Sequence, residues 1–196
     1  MTALLLGIAG FLLCFLYDIN SFTVRSGLLH CTFGIGTALI AAATALDLRA
    51  AWRAGTLSGT PDLLLLLLSA ACFAALIYCL FFALPFHETY AEQSDMRPVY
   101  DRGVYALCRH PGILCFFGMF LFAGLAALPC ALLAHGMVFS LLNLAYAFFQ
   151  DRITFPKTFF DYHTYRERVP FLIPTRDSTR LARDTWPRTG GKEDES

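Results

Sequence analysis

The sequence predicts an all-α fold, a polytopic membrane helix bundle with about five transmembrane helices and a C-terminal cytosolic amphipathic helix. Composition is the first observation behind this prediction. Hydrophobic residues make up 57% of the chain and charged residues 15%, and the mean hydropathy is +0.55, which is too apolar for an ordinary soluble domain. The second observation is that long stretches of the chain carry no charge. We therefore expect a multi-pass membrane protein with no nucleic-acid partner.

Four stretches without Asp, Glu, Lys or Arg are long enough to be membrane spans. They are residues 1–17, 26–46, 63–86 and 111–150. The last is about twice the length that one span needs, and Pro129 near its middle cannot continue a helix, so we expect two helices joined by a turn. The first stretch lacks the basic start and cleavage site of a signal peptide, so we expect it to remain as the first helix. Asp18 and Asn20 are interpreted as its boundary.

The distribution of basic residues predicts the orientation in the membrane. Three arginines lie between the third and fourth spans, and nine of the fifteen Lys and Arg residues lie from Arg152 onward. Cytoplasmic segments carry an excess of Lys and Arg. We therefore expect residues 88–110 and 151–196 to face the cytosol and the N-terminus to lie outside.

A further helix is predicted after the last span. Thr154 is placed to cap it, and Pro156 fits its first turn. Apolar residues recur at helical spacing along it, so one face can lie against the bundle or the lipid headgroups. They are Phe155, Phe159, Tyr162 and Val169.

Two prolines after this helix divide the chain. Pro170 and Pro174 end the helix and hold the sequence "VPFLIP" extended. Beyond them the sequence is polar, and we expect disorder. The predicted regions are an N-terminal three-helix membrane region at residues 1–98, a core at 99–174 and a disordered tail at 175–196.

Two motifs lie in the core region. The first is "GVYALCRHP" at residues 103–111, directly before the predicted hairpin. The second is the pattern YxxYxxxVPxxxP, which begins at Tyr162 and ends at Pro174. In this order they resemble the isoprenylcysteine carboxyl methyltransferase and phospholipid methyltransferase superfamily of integral membrane enzymes, over residues 99–174. The resemblance implies methyl transfer from S-adenosylmethionine to a lipid or lipophilic small molecule, with the cofactor site facing the cytoplasm.

The resemblance also implies a set of cofactor-binding residues. They are Tyr105, Arg109, His110, Pro111, Gly112, Ile113, Tyr162 and Tyr165. A helix that begins at Pro111 presents free backbone N–H groups and a positive dipole end, which suit the methionine carboxylate. His110 can add a hydrogen bond, and Arg109 can hold the same anion. The tyrosines can stack on adenine, or Tyr162 and Tyr165 can instead anchor the helix at the membrane interface.

The chain departs from the family pattern at the reaction centre. The usual pattern R-H-P-x-Y-x-G has Ile113 and Cys115 here in place of Tyr and Gly. An Arg followed four residues later by a pair of glutamates is replaced by Tyr146, Gln150 and Asp151. We expect Asp151 and Gln150 to be the catalytic residues, and Tyr146 and Gln150 to contact the substrate. Without the Arg, a neutral or amine-bearing acceptor fits better than a prenylcysteine carboxylate.

Two other functions stay open. One is an NADPH-dependent membrane reductase of the sterol or steroid type, whose C-terminal half and His-Pro turn are similar. The other is a non-catalytic descendant that binds a lipid or a partner helix, which Gln150 in place of a glutamate favours.

Metal binding is not expected. His87 and Glu88 lack the second His of a zinc-binding HExxH motif. The seven cysteines contain no CxxC pair, so we expect them to act as small buried hydrophobes. His30 and His135 lie within apolar spans, where we expect buried or interfacial histidines with satisfied hydrogen bonds.

Overall fold

The structure is a computed structural model. It describes residues 1–24, 26–57, 60–83 and 97–186. Within these ranges the regular structure is helical and contains no strand, which confirms the all-α prediction. His87, Glu88 and residues 187–196 lie outside the described residues, so the expectations for them are not addressed by the structure.

Nine helices lie within the described ranges. They are α1 (Thr2–Phe22), α2 (Cys31–Arg53), α3 (Thr60–Ile77), α4 (Val104–Leu107), α5 (Pro111–Ala126), α6 (Leu132–Phe149), α7 (Phe155–Thr158), α8 (Tyr162–Arg168) and α9 (Arg176–Asp184). Three short turns extend them. A 3₁₀ turn at Leu28–His30 precedes α2, a π-helical turn at Tyr78–Phe82 follows α3, and a second π-helical turn at Gln150–Thr154 joins α6 to α7.

Four helical stretches are long and apolar enough to cross a membrane. They are Thr2–Phe22, Leu28–Arg53, Asp62–Phe82 and Leu132–Thr158. Helix α5 is also apolar, but it has 16 residues. That length gives about 24 Å, less than the hydrocarbon thickness of about 30 Å. The structure therefore has the helices of a multi-pass membrane protein, and the fifth span stays a prediction.

The long helices pack in pairs. Helix α1 lies along α2, α3 lies along α5, and α6 contacts both α1 and α5. A methyl group on Gly10 would lie 2.6 Å from the Gly36 carbonyl oxygen, so the close approach of α1 and α2 depends on small residues, as is typical of membrane helices. Phe11, Phe120 and Phe139 fill the space between α1, α5 and α6.

The predicted hairpin is confirmed, but the predicted helix start at Thr154 is wrong. Pro129 lies in the turn between α5 and α6. At its other end α6 does not stop, because the π-helical turn carries the helix on to Thr158. Thr154 has helical backbone angles and makes no capping hydrogen bond. The wide turn before Pro156 accommodates a residue that has no N–H for an α-helical hydrogen bond.

The single helix predicted after the last span is split in two. Phe159 is extended, with φ −115° and ψ 124°. The backbone beside it pairs with Arg97, whose N–H donates to the Thr158 carbonyl at 3.3 Å and whose carbonyl accepts from the Phe160 N–H at 3.3 Å. The predicted apolar face still packs together. Tyr162, Tyr165 and Val169 form a buried cluster, with Phe155 and Phe159 against it.

The predicted disorder from residue 175 is wrong for α9. The Thr175 hydroxyl accepts a hydrogen bond from the Ser178 N–H at 3.2 Å, and the Ser178 hydroxyl accepts one from the Thr175 N–H at 2.9 Å. This capping box satisfies two N–H groups that a helix start otherwise leaves free. Helix α9 also packs against α4 and buries Ala182. The polar composition of this segment led to a prediction of disorder, although the segment forms a capped amphipathic helix.

Candidate functional site

The Arg-His-Pro motif forms the turn between α4 and α5. Pro111 is the first residue of α5, where its missing N–H is not needed. The Arg109 N–H donates to the Pro170 carbonyl at 2.9 Å. The His110 N–H donates to the Phe171 carbonyl at 3.3 Å. The two motifs that are far apart in the sequence are therefore in direct contact.

Asp151 joins this turn to the C-terminal helices. Arg109 Nη1 lies 2.8 Å from Asp151 Oδ1, and the Tyr162 hydroxyl donates to the same oxygen at 2.7 Å. His110 Nε2 is farther away, at 3.7 Å. Asp151 is 2% exposed, so its charge is buried together with its partners. The structure thus brings the predicted catalytic residue Asp151 together with three predicted cofactor residues.

Tyr105 and Tyr165 contact each other, and both hydroxyls are occupied. The Tyr165 hydroxyl donates to the Tyr105 carbonyl at 2.6 Å, and the Tyr105 hydroxyl donates to the Cys79 carbonyl at 2.8 Å. Burial raises the pKa of the Tyr165 and Tyr162 hydroxyls well above the ordinary value, and for Tyr162 the hydrogen bond to Asp151 raises the pKa further. Both phenols therefore remain protonated donors at neutral pH.

Aromatic side chains enclose the turn. The His110 ring stacks on Phe155 with centroids 5.8 Å apart and lies 4.9 Å from the ring of Phe171. The Arg109 guanidinium lies over the Phe171 ring at 5.6 Å, within the range of a cation–π contact. These rings exclude water from the polar groups of the turn, which strengthens their electrostatic interactions.

Several polar atoms of the turn are buried without a hydrogen-bond partner. They are Arg109 Nε, Arg109 Nη1 and His110 Nε2. The contact of Arg109 Nη1 with Asp151 is an ion pair by distance, but its N–H direction misses the carboxylate oxygen. No side chain caps the start of α5. Buried polar atoms without partners are rare and costly, so this turn fits an anionic group such as the carboxylate of S-adenosylmethionine.

The first three residues of α5 differ in how far they are buried. Ile113 is buried, and its N–H donates to the His110 carbonyl at 3.2 Å. Pro111 is buried as well, whereas Gly112 is only half-buried. Among these three predicted cofactor residues, Gly112 is the one that leaves backbone accessible beside the Arg-His-Pro turn.

A second buried carboxylate, Asp18, lies near the C-terminal end of α1. It is 3% exposed, and the Thr154 hydroxyl donates to Asp18 Oδ2 at 3.4 Å. The side chains of Tyr146 and Gln150 lie beside the same carboxylate. The Tyr146 hydroxyl is buried without a hydrogen-bond partner. The predicted substrate residues Tyr146 and Gln150 are thus grouped with Asp18, on a different side of the helix from the contacts of Asp151.

Sequence reasoning missed the burial of Asp18. Its position at the end of a charge-free run suggested a helix boundary, but α1 continues to Phe22 and buries the side chain. Asn20 fits the boundary interpretation better, because its amide bonds to the N–H and carbonyl of Ser26 at 2.9 and 3.0 Å. The available signal was an ionisable residue within a membrane span, which marks a functional site by default.

Other residues singled out by the sequence lie away from this site. His135 Nδ1 lies 2.9 Å from Asp47 Oδ2, so this half-buried histidine has a partner, as expected. His30 is exposed, at the start of α2, and its ring contacts the ring of Tyr17. All seven cysteines are free, and Cys31 is exposed rather than buried. Within the described ranges no group of three or more His, Cys, Asp or Glu side chains is placed to hold a metal ion.

Comparisons with protein-family models, with curated proteins and with solved structures found no match to the chain. The resemblance of residues 99–174 to the membrane methyltransferases therefore rests on the two motifs. The geometry adds a separate observation, since these motifs meet through the Arg109 and His110 backbone and through the contacts of Asp151.

Proposed function

We propose that the protein is an integral membrane methyltransferase that uses S-adenosylmethionine and acts on a lipid or lipophilic acceptor at the membrane–cytosol boundary. The observation that carries this proposal is that Arg109 Nε and His110 Nε2 are buried beside the start of α5 without a hydrogen-bond partner. An anion bound there meets a guanidinium, an imidazole and the positive end of a helix. The resemblance implies the cofactor carboxylate at the same turn.

Five of the predicted cofactor residues have a definite part in this proposal. Arg109 and His110 hold the carboxylate, and Gly112 offers backbone at the helix start. Tyr105 and Tyr165 have hydroxyls that are occupied by carbonyls of the chain, so they can present only their rings to a ligand. When bound, S-adenosylmethionine supplies a methyl group, whose carbon bonds to a lone pair of the acceptor as its bond to sulfur breaks and leaves that electron pair on sulfur. The chain needs to orient the acceptor and exclude water.

Asp151 is better suited to positioning than to taking a proton. Its Oδ1 atom already faces Arg109 Nη1 and accepts from the Tyr162 hydroxyl. A carboxylate held by two such partners is a weak base, because protonation must break both contacts. We therefore propose that Asp151 fixes Arg109 in the turn and ties α8 to it, while Gln150 and Tyr146 contact the acceptor.

The cofactor turn is proposed to face the cytosol. The charge distribution supports this orientation, and a polar cofactor needs access from water. In a variant without native cysteines, Arg180→Cys should react with a membrane-impermeant thiol reagent only after the cells are permeabilised. Labelling in intact cells would reverse the topology.

Calorimetry with S-adenosylhomocysteine on the detergent-purified full chain tests the cofactor site. We expect binding, and we expect His110→Ala to weaken it by about 1–3 kcal/mol, the cost of losing a hydrogen bond to a charged group. His163→Ala is the matched control, because the His163 side chain is 87% exposed and should leave the affinity unchanged. Equal affinity in a folded His110→Ala protein would remove His110 from the site.

One observation favours a second candidate, the non-catalytic descendant. The Arg109–Asp151–Tyr162 contacts already join three parts of the chain without a ligand, as a purely structural clamp would. The same calorimeter separates the candidates. Absence of S-adenosylhomocysteine binding by a folded protein favours the structural role, and binding of NADPH instead favours the membrane reductase.

A further inference from the structure

Four polar residues near the C-terminal end of α1 and the end of α6 form a group that we call the Asp18 cluster. It consists of Asp18, Tyr146, Gln150 and Thr154. We propose that the Asp18 cluster binds the ammonium group of a lipophilic amine. The reaction of that amine rests on the proposed function: the ammonium first gives a proton to the Asp18 carboxylate, which frees the nitrogen lone pair that bonds to the methyl carbon. The binding itself can be measured without the cofactor.

The charge of Asp18 lacks a cation. The residue lies inside the span Thr2–Phe22 and is 3% exposed. Among the residues that the structure describes, no Lys, Arg or His makes an ion pair with it. A carboxylate buried alone is costly, and more so at membrane depth. A cationic ligand supplies the partner that the described chain does not.

The neighbours of Asp18 carry groups that can donate to the carboxylate and also oxygen atoms that can accept hydrogen bonds. Tyr146, Gln150 and Thr154 recur every four residues, so they share one side of the helix. Tyr146 is 8% exposed, and its hydroxyl oxygen has no partner. An alkylammonium has up to three N–H donors and no acceptor. The Asp18 carboxylate, the Tyr146 hydroxyl and the Gln150 amide oxygen provide acceptors for all three.

Aromatic rings surround the same place. The Phe15 ring packs edge-on against Tyr146 with centroids 5.1 Å apart and against Phe149 at 5.4 Å. Rings of this kind attract ammonium groups through cation–π contacts, and they also give apolar surface to the first methylenes of an alkyl chain. Leu16 and Ile19 on α1 are exposed, so the chain can continue into the lipid.

The Asp18 cluster adjoins the proposed cofactor turn. Gln150 and Asp151 are consecutive, so their Cα atoms are about 3.8 Å apart. Gln150 belongs to the Asp18 cluster, and Asp151 contacts Arg109 in the turn. The π-helical turn at Gln150–Thr154 therefore has Asp18 on one side and the cofactor residues on the next. An amine held by Asp18 lies close to the proposed cofactor site.

The charge of Asp18 determines which lipids the cluster accepts. An anionic headgroup is repelled, and a neutral alcohol leaves the carboxylate without a cation. A primary amine of the same length provides both the charge and the donors. The test therefore compares two probes that differ only in the headgroup, dodecylamine, which is cationic at pH 7, and dodecanol.

Binding of both probes to the detergent-purified full chain is measured by microscale thermophoresis without cofactor. We expect dodecylammonium to bind more tightly than dodecanol by about tenfold to a hundredfold, the size of a hydrogen bond to a charged group. Asp18→Asn should remove this difference, and Asp18→Glu should keep part of it. Asp47→Asn is the matched control, because it makes the same substitution at another buried carboxylate, one that pairs with His135. It should leave the preference for amine unchanged.

Each outcome decides the inference. Equal affinity for the two probes in the wild type overturns it, as does an amine preference that survives in Asp18→Asn. If Asp18→Asn does not fold, Tyr146→Phe removes one acceptor only and should lower the amine preference several-fold. A preference that depends on Asp18 in a protein that does not bind S-adenosylhomocysteine supports the cluster but rejects the proposed function. Binding of S-adenosylhomocysteine without any amine preference does the reverse.

Discussion

Two carboxylates are buried to nearly the same degree near one end of the bundle, and they differ in their partners. Asp151 is 2% exposed and Asp18 is 3% exposed. Asp151 has a guanidinium at 2.8 Å and a phenol at 2.7 Å. Asp18 has no cation among the described residues. The Thr154 hydroxyl donates to it at 3.4 Å, longer than a normal O–H···O hydrogen bond, and the uncharged side chains of Tyr146 and Gln150 lie beside it.

This difference in partners suggests different roles: the charge of Asp151 stabilises the fold, and the charge of Asp18 is available to bind a cation. A buried carboxylate with a cation and a strong donor holds parts of the chain together, and removing it strands the cation. A buried carboxylate whose neighbours are polar but uncharged retains its affinity for a cation. Burial alone therefore does not predict what an acidic residue does in this bundle.

Asp151→Ala tests the structural half of the comparison most strongly. It leaves Arg109 buried beside the lost charge, and Arg109 is 10% exposed. We expect a loss of about 3–5 kcal/mol in the free energy of unfolding, as is usual when one partner of a buried pair is removed. Denaturant titration of the detergent-purified protein measures it. A loss similar to that of an exposed pair, as in Asp101→Ala opposite Arg168, would show that Asp151 is not structural.

Tyr162→Phe removes one donor from Asp151 and should cost about 1.5–3 kcal/mol. It also changes the response to alkaline pH. Burial, followed by the hydrogen bond to Asp151, raises the pKa of Tyr162 in the folded state above its ordinary value of 10.0. Its contribution to stability is therefore complete below pH 10 and is lost as the pH rises above that value.

The alkaline slope gives this prediction a second readout. Above about pH 10, the wild type should lose stability faster than Tyr162→Phe, with a slope that rises towards about 1.4 kcal/mol per pH unit as the unfolded tyrosine ionises. Melting curves between pH 8 and 11 measure the slope. The buried Tyr165 is present in both proteins, so its own loss cancels in the difference. Parallel curves would mean that folding does not raise the pKa of Tyr162, by burial or by the contact with Asp151.

Some features of the two carboxylate sites and of the helices around them could be predicted from the sequence, and others could not. Charge-free runs located the membrane helices, and Pro129 located the turn of the hairpin, because both signals are local. The Arg-His-Pro motif led to Arg109 and Asp151 through the resemblance. The partners of Asp18 were not predictable, because they lie on α6 and the π-helical turn after it. The capping box of Thr175 was missed because its polar residues also suit a disordered tail.

Asp18→Asn should have the opposite sign from Asp151→Ala. The amide keeps the shape of the carboxylate and removes a charge that has no cation among the described residues. We expect the free energy of unfolding to rise by about 1 kcal/mol, since a buried unpaired charge costs more than a buried amide. Denaturant titration without added amine measures it. A loss of more than about 1.5 kcal/mol would indicate a structural partner for Asp18 and remove the contrast.

Thr154→Val is the smallest change and the closest match to Tyr162→Phe, because each removes one hydroxyl from one buried carboxylate. Valine keeps the branched shape of threonine, so packing changes little. The 3.4 Å contact with Asp18 is too long to contribute as much as the 2.7 Å contact with Asp151. We therefore expect less than about 0.5 kcal/mol, below a typical hydrogen bond, with dodecylammonium binding retained. A cost equal to that of Tyr162→Phe would mean that Asp18 is held as firmly as Asp151, and an ammonium ligand would then no longer be needed to explain its burial.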